Sequence, residues 1–358
     1  MKKKTVAGCV IVVLLAIVVI AALGNQKYHQ KDLENRQAIK PVEVADVPVT
    51  YEPVDTRFYD KQLTIQEKKI YNQITERLDQ CKSGEIVLEQ PIDARAYARI
   101  VTMLKYDRET YWYLYGIFPF DKENMLVDID FMVPAKERNI YKMIFWIDSD
   151  KFRKEMTTYD KKNAENVKRA AEDLSSDPEA YKKAKEIADT IIDDNPSYYE
   201  RTNKEIERNL QQIIDDMPKG LNQKEAIQYF AQWIVDHMTY ESTVAKYLDT
   251  GDYAEYDPGK AFSSESVVSI NTKQGTCGGF SLILVTLCNR VGIDAYVVRG
   301  EAFGEGHAWT AVKIGGETYY KDPTFEVGDK KVKFLATELQ FYQYFCTTYK
   351  PYSHLFKY

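Results

Sequence analysis

Three residues in the last third of the chain have the types and the order of a nucleophile, a base and an acid. The first is Cys277, which lies between glycines in Gly-Thr-Cys-Gly-Gly at 275–279 and before a mostly apolar segment, 281–290. This pattern predicts a buried helix that begins at Cys277. A helix N-terminus favours a thiolate and offers N–H groups to the oxyanion of an attacked carbonyl, with Gly278 a candidate for that contact. By itself, the segment fits a buried structural cysteine equally well.

The second and third residues, His307 and Asp322, are related by a predicted hairpin. Gly315-Gly316 separates two strand-like segments, 307–314 and 317–321, and two glycines between strands favour a tight turn. Counting back from this turn makes His307 and Asp322 diagonal neighbours on one face, about 7–8 Å apart at the backbone. An imidazole can hydrogen-bond a carboxylate across that gap. The carboxylate would fix the tautomer and support the charged form, as a Cys–His pair requires.

Other classes of site have little support. The sequence has no CxxC pair, no HExxH segment and no EF-hand loop, so we expect no metal and no cofactor. The formal net charge of -6 gives no attraction to nucleic acid, and nucleic acid is not expected as a partner. A zinc site built from Cys277, His307 and Asp322 is a minor alternative to catalysis.

The segments around these residues resemble the transglutaminase-like superfamily, a branch of the papain-like cysteine enzymes, in a bacterial, membrane-anchored form. Besides the nucleophile segment, the resemblance rests on Val291-Gly292-Ile293, Gly300, His307-Ala308-Trp309 and Asp322-Pro323-Thr324. It extends over roughly residues 222–328. It implies an α+β fold with a papain-like core, in which the nucleophile helix packs on an antiparallel sheet.

The resemblance also implies roles for individual residues. The ordered Cys, His and Asp of the family correspond to Cys277, His307 and Asp322, which implies a catalytic triad. Tyr240 resembles an aromatic position that assists the oxyanion in the family. Trp309 is a further candidate for positioning the substrate.

The N-terminus predicts a membrane anchor. Three lysines follow Met1 in a short cytoplasmic tail, 1–4, and the uncharged apolar run 5–24 is just long enough to cross a bilayer. Positive residues before the span favour a body that lies outside the cell membrane. The small residues Ala22-Leu23-Gly24 leave an alternative, in which a signal peptide is cleaved and the protein is secreted.

A chain of 358 residues predicts two folded domains. We expect a tether, an N-terminal α+β domain, a helical region, a transglutaminase-like catalytic domain and a C-terminal extension, at 25–58, 59–150, 151–216, 217–330 and 331–358.

Local patterns predict the elements within these units. A capping box at Thr64–Glu67 opens a helix that reaches about Asp79, and helices are also expected at 93–105 and 222–238. Asp177-Pro178 and Asn195-Pro196 are typical helix starts. Strands are expected at 85–89, 111–118, 125–133, 141–147 and 295–299.

The resulting hypothesis is cysteine-dependent acyl transfer on a protein or peptide amide through a thioester. Water as the acceptor would give a protease or deamidase, and an amine would give crosslinking. Cell-surface proteins or cell-wall peptides are the expected substrates outside the membrane. The alternative is a non-catalytic surface binding or scaffold module that keeps the fold.

Overall fold

The structure is a computed structural model, and it describes residues 41–107, 111–125, 127, 139–147, 196–243, 263–302, 304–330, 335–344 and 349–358. Within these ranges, no helix has the length and apolar character needed to span a membrane. The predicted span at 5–24 lies outside the described residues.

The N-terminal part is a pair of helices on a three-stranded antiparallel sheet. Its elements in chain order are α1 (Ile65–Leu78), β1 (Gly84–Asp93), α2 (Ala94–Tyr106), β2 (Leu114–Phe120) and β3 (Asn139–Ile147), with strand order β1-β3-β2. The predicted capping box is confirmed, because Thr64 accepts from the N–H of Glu67 and Glu67 accepts from the N–H of Thr64. The strand predicted at 125–133 lies outside the described residues, apart from 125 and 127.

Two longer helices, α3 (Pro196–Asp215) and α4 (Gln223–His237), lead to the C-terminal part. The predicted start at Asn195-Pro196 is confirmed by α3, whereas Asp177-Pro178 lies outside the described residues. Asn222 caps α4, in a second capping box with Glu225. These caps satisfy N–H groups that a helix start leaves unpaired.

The C-terminal part packs a buried helix on a four-stranded antiparallel sheet. Short elements come first: β4 (Thr239–Tyr240), α5 (Ser269–Thr272) and β5 (Gln274–Gly275). They are followed by α6 (Cys277–Arg290), β6 (Asp294–Ala302), β7 (Glu305–Ile314), β8 (Glu317–Lys321), α7 (Pro323–Asp329), α8 (Glu338–Tyr344) and β9 (Lys350–Pro351). The strand order is β8-β7-β6-β9, and α6 packs on β6 and β7. The predicted α+β fold, with the nucleophile helix packed on an antiparallel sheet, is therefore confirmed.

The predicted hairpin register is confirmed. Ile314 pairs with Glu317 and Thr310 with Lys321, so the turn occupies Gly315-Gly316. Both glycines have positive φ, at 61° and 90°, which is the conformation that a tight two-residue hairpin turn requires. This register positions His307 near Asp322.

The N-terminal and C-terminal parts share one hydrophobic core. A single cluster includes Ile100 of α2, Ile283 of α6 and Phe356 near the C-terminus. The described part of the predicted tether, 41–58, also lies on this body, because the N–H groups of Tyr51 and Val54 donate to carbonyls at the end of α6 and just after it. The predicted domain boundaries stay predictions, but α2 packs close enough to the nucleophile helix to reach the site.

Candidate active site

Cys277 is the first residue of helix α6, and the helix behind it is buried. All residues from Gly278 to Cys288 are buried, whereas Cys277 itself is partly exposed. The preceding residue, Thr276, makes no side-chain cap, so the first-turn N–H groups keep their capacity to bind an anion. The thiol therefore lies at the accessible end of a rigid helix.

The loop before Cys277 is held by backbone hydrogen bonds. Strand β5 pairs in parallel with β4, with Gly275 opposite Tyr240, and the N–H of Thr276 donates to the carbonyl of Ser264 at 2.9 Å. Gly279 packs against the same carbonyl, and a Cβ at 279 would lie 2.2 Å from that oxygen. A glycine is required there because any larger residue would displace the start of the helix.

The imidazole of His307 and the carboxylate of Asp322 form a short hydrogen bond. His307 Nε2 lies 2.7 Å from Asp322 Oδ2, with the His307 side chain 12% exposed and the Asp322 side chain fully buried. Because Nε2 is taken by Asp322, Nδ1 is the nitrogen left to face Cys277. The pattern and the hairpin thus predicted a contact that the structure contains.

The electrostatics of Cys277 and His307 favour an ion pair. Burial raises the pKa of the Cys277 thiol, but the charge and hydrogen bond of His307, with the charge of Arg299, outweigh burial and lower this pKa overall. Burial lowers the pKa of His307, but the charges of Asp322 and Cys277 and their hydrogen bonds raise it overall to about 10. The opposite shifts stabilise a thiolate beside an imidazolium, the reactive form of a cysteine nucleophile.

A tyrosine from the C-terminal extension completes the surroundings of Asp322. Tyr349 donates its hydroxyl proton to Asp322 Oδ2 at 2.5 Å, and Thr324 donates its N–H to Oδ1 at 2.9 Å. The ring of Tyr349 also packs edge-on against His307, with the centroids 5.7 Å apart. These donors replace the water that the buried carboxylate has lost. Sequence reasoning missed Tyr349, because no local pattern in 331–358 relates it to the hairpin.

The three further candidates occupy different positions. Gly278 is buried, and a Cβ there would meet the carbonyl of Glu265 at 3.1 Å and the hydroxyl of Tyr106 at 3.2 Å. Tyr240 is 40% exposed, with its ring 6.3 Å from that of Phe280 at the start of α6. Gly278 thus lies in the first turn of α6 and Tyr240 lies beside it, and their roles at the oxyanion stay predictions.

The third candidate, Trp309, lies in the core beside His307, and its role in positioning the substrate stays a prediction. Its side chain is fully buried, and its ring stacks on that of His307 with the centroids 6.1 Å apart. The ring also stacks on that of Phe341 in α8, with the centroids 6.0 Å apart, so α8 covers it. Through its contact with the imidazole, Trp309 restrains the orientation of His307.

Sequence comparison gives a family for this part of the chain. Residues 208–322 match the sequence model of the transglutaminase-like superfamily. The match ends at the candidate acid, Asp322, and includes Cys277 and His307. It confirms the resemblance, and this segment is a transglutaminase-like core domain. No curated protein matches the chain.

Three solved structures are similar to parts of the chain. One is described as a TGase, with 17% identity over 54% of this chain and 43% of that one, and a TM-score of 0.30. A second is named "Putative Cysteine Protease" from Cytophaga hutchinsonii, with 19% identity over 37% of this chain and 42% of that one, and a TM-score of 0.26. A third, a "Putative Protease" from Parabacteroides distasonis, has 11% identity over 52% and 29% and a TM-score of 0.23. The chain spans less than half the length of each of these chains.

Proposed function

We propose that the protein is a cysteine-dependent acyl-transfer enzyme that acts on a protein or peptide amide. The superfamily match and the site together support a cysteine-dependent enzyme in general. The observation that carries the finer proposal is the 2.7 Å hydrogen bond between His307 and Asp322, together with opposite pKa shifts on His307 and on Cys277 at the start of a buried helix. Cys277 is the nucleophile, His307 the acid and base, and Asp322 the residue that orients the imidazole.

The reaction has two steps. The Cys277 thiolate attacks the amide carbonyl carbon, and the His307 imidazolium gives its proton to the leaving nitrogen as the C–N bond breaks. A thioester and a free amine or ammonia result. An acceptor O–H or N–H then attacks the thioester, His307 takes the proton, and the thiolate is released. Water yields an acid, and an amine yields a new amide.

The oxyanion of each step needs hydrogen-bond donors near the reacting carbon. The N–H groups of the first turn of α6, which include that of Gly278, are suitably placed because no side chain caps them. Tyr240 is a second candidate donor, since it is exposed beside the same segment. Removing one such donor typically lowers kcat by about 100–1000-fold.

The setting of the reaction is part of the proposal. An anchor at 5–24 would hold the body outside the cell membrane, with cell-surface proteins or wall peptides as substrates. Cleavage of this segment would instead give a secreted enzyme with the same chemistry.

The experiment is incubation of the full chain with a glutamine-containing peptide, with and without a primary amine. Ammonia release, amine incorporation and backbone cleavage are measured in parallel, which distinguishes deamidase, crosslinking and protease activity. Cys277→Ala is expected to abolish all three, whereas Cys81→Ala, at a partly exposed cysteine of the N-terminal part, is the matched control. Equal product formation by Cys277→Ala and wild type would refute the assignment. If wild type is inert and its Cys277 reacts like an ordinary thiol, the non-catalytic binding module is the better interpretation.

A further inference from the structure

A guanidinium lies beside the nucleophile helix. Arg299 lies on β6, two residues after Val297. In the pairing of β6 with β7, Arg299 is opposite Ala308. Alternate residues of a strand share a face, and Val297 and Ala308 belong to the core cluster that contains the residues of α6. The side chain of Arg299 therefore extends on the face of the sheet that carries α6.

A residue of the N-terminal part fixes the position of this guanidinium. Arg299 Nη1 donates to Tyr106 Oη at 2.8 Å, and the guanidinium lies over the Tyr106 ring, 5.0 Å from its centroid. The same hydroxyl would be 3.2 Å from a Cβ on Gly278, the residue after Cys277. The guanidinium is thus held at the first turn of α6, and its charge contributes to lowering the pKa of Cys277.

The charge of Arg299 lacks a carboxylate partner within the described part of the chain. A carboxylate whose charge acts on it is that of Glu265, which forms its own ion pair with Lys105 at 3.5 Å. A guanidinium has five N–H donors, and the described contacts give Arg299 a single side-chain acceptor, Tyr106. Arg299 is also half-buried, so water replaces the missing partner only in part. Holding a half-buried cation in this way costs stability, and the cost is recovered when an anion binds.

We propose that Arg299, positioned by Tyr106, binds a carboxylate of the acyl donor close to the reacting carbonyl. The preferred substrates are then peptides with Asp or Glu next to the residue that reacts with Cys277. This inference rests on the proposed function, because it assigns the substrate class of the same site. Arginine suits the role, since its planar fork matches the two oxygens of a carboxylate.

The first test compares two alkylating agents of similar size, iodoacetate and iodoacetamide, on Cys277. Iodoacetate carries a carboxylate next to its reacting carbon and iodoacetamide does not. The measured quantity is the ratio of the iodoacetate rate to the iodoacetamide rate. This ratio is expected to be about tenfold higher in wild type than in Arg299→Gln, which is the range for a hydrogen bond to a charged group. Arg299→Lys should retain part of the ratio, because it keeps the charge without the fork.

Arg290→Gln is the matched control, since Arg290 lies at the opposite end of α6 and pairs with Glu207 at 2.7 Å. It should leave the ratio at the wild-type value. A ratio that is equal in wild type and Arg299→Gln would overturn the inference. If Arg299→Gln does not fold, the salt dependence of the wild-type ratio provides the test. The ratio should decrease with added salt, and an unchanged ratio would overturn the inference.

The second test uses paired glutamine peptides with Glu or Gln beside the reacting residue. An approximately tenfold preference in kcat/KM for the acidic peptide, lost in Arg299→Gln, supports the inference. Turnover of both peptides without preference would refute the carboxylate subsite and leave the proposed function intact. If neither peptide is turned over but the alkylation ratio still depends on Arg299 as expected, the result counts against the proposed function alone.

Discussion

Replacing Asp322 by Asn tests the ion pair most directly, because it removes a charge with little change of shape. The carboxamide oxygen of the variant can still accept the N–H of Thr324, which reaches Asp322 Oδ1 at 2.9 Å in the wild type. What disappears is the negative charge 2.7 Å from His307 Nε2, one of the interactions that raise the pKa of His307 to about 10. The amide nitrogen that replaces Oδ2 is a donor and cannot accept the proton of Nε2, so the variant favours a neutral imidazole with Nε2 unprotonated. The perturbation therefore acts on both the protonation and the tautomer of the imidazole.

The expected magnitude follows from the contact distance. An opposite charge in contact shifts a pKa by about 1–3 units, so its loss should lower the pKa of His307 by that amount. The equilibrium constant for forming the thiolate–imidazolium pair from the neutral pair should fall correspondingly, by about 10–1000-fold. Since the imidazolium stabilises the thiolate, the pKa of Cys277 rises in the variant. Thiolate should then form at a higher pH in Asp322→Asn than in wild type.

The assay is the rate of iodoacetamide alkylation at Cys277 from pH 4 to pH 10, followed by mass spectrometry of the labelled peptide. Wild type should react well below pH 8.5, about the pKa of a free thiol, whereas the midpoint of the variant should move upward. Asp236→Asn is the control, because Asp236 is exposed on α4 and accepts only from Gln232 among the described side chains. Superimposable profiles of Asp322→Asn and wild type would refute the coupling between Asp322, His307 and Cys277.

Three further outcomes are expected. Tyr349→Phe keeps the ring contacts but removes the 2.5 Å hydrogen bond to Asp322, so the free energy of unfolding measured in urea should fall by about 1.5–3 kcal/mol. An unchanged urea midpoint would contradict this. Gly279→Ala places a Cβ 2.2 Å from the carbonyl of Ser264, so the backbone must shift; we expect about 1–3 kcal/mol of destabilisation and a larger proportional loss of activity than of folded protein. Because the pKa of His307 is raised to about 10, the imidazolium should persist through neutral pH, and kcat/KM should fall only as the pH approaches 10. A fall in kcat/KM centred near pH 6.5 would disprove the shift.

Much of the catalytic part could be predicted from the sequence, because its determinants are local. The glycine pair at 315–316 fixes the turn and with it the register that brings His307 to Asp322. The apolar run after Cys277 identifies a buried helix whose first residue is the cysteine. Turn chemistry and helix periodicity depend on neighbouring residues, so they are visible without knowledge of the fold.

Other features could not be predicted, because they depend on contacts between distant parts of the chain. Tyr349 contacts Asp322 across 27 positions, and Arg299 contacts Tyr106 across 193. Neither tyrosine lies in a motif, and no periodic pattern relates a C-terminal strand or an N-terminal helix to the nucleophile. The burial of Trp309 under α8 escaped prediction for the same reason, since it is a tertiary property.

The sequence by itself determined which residues carry the candidate chemistry, since the nucleophile, base and acid each lie at a position that local structure specifies. Only the tertiary structure decided how these residues are tuned. The packing of α2 and of the C-terminal segment brings Tyr106 with Arg299 to one side of Cys277 and Tyr349 to Asp322. Charge and hydrogen bonding act over a few ångströms in space whatever the separation along the chain, so the pKa values and the proposed carboxylate subsite follow from the fold.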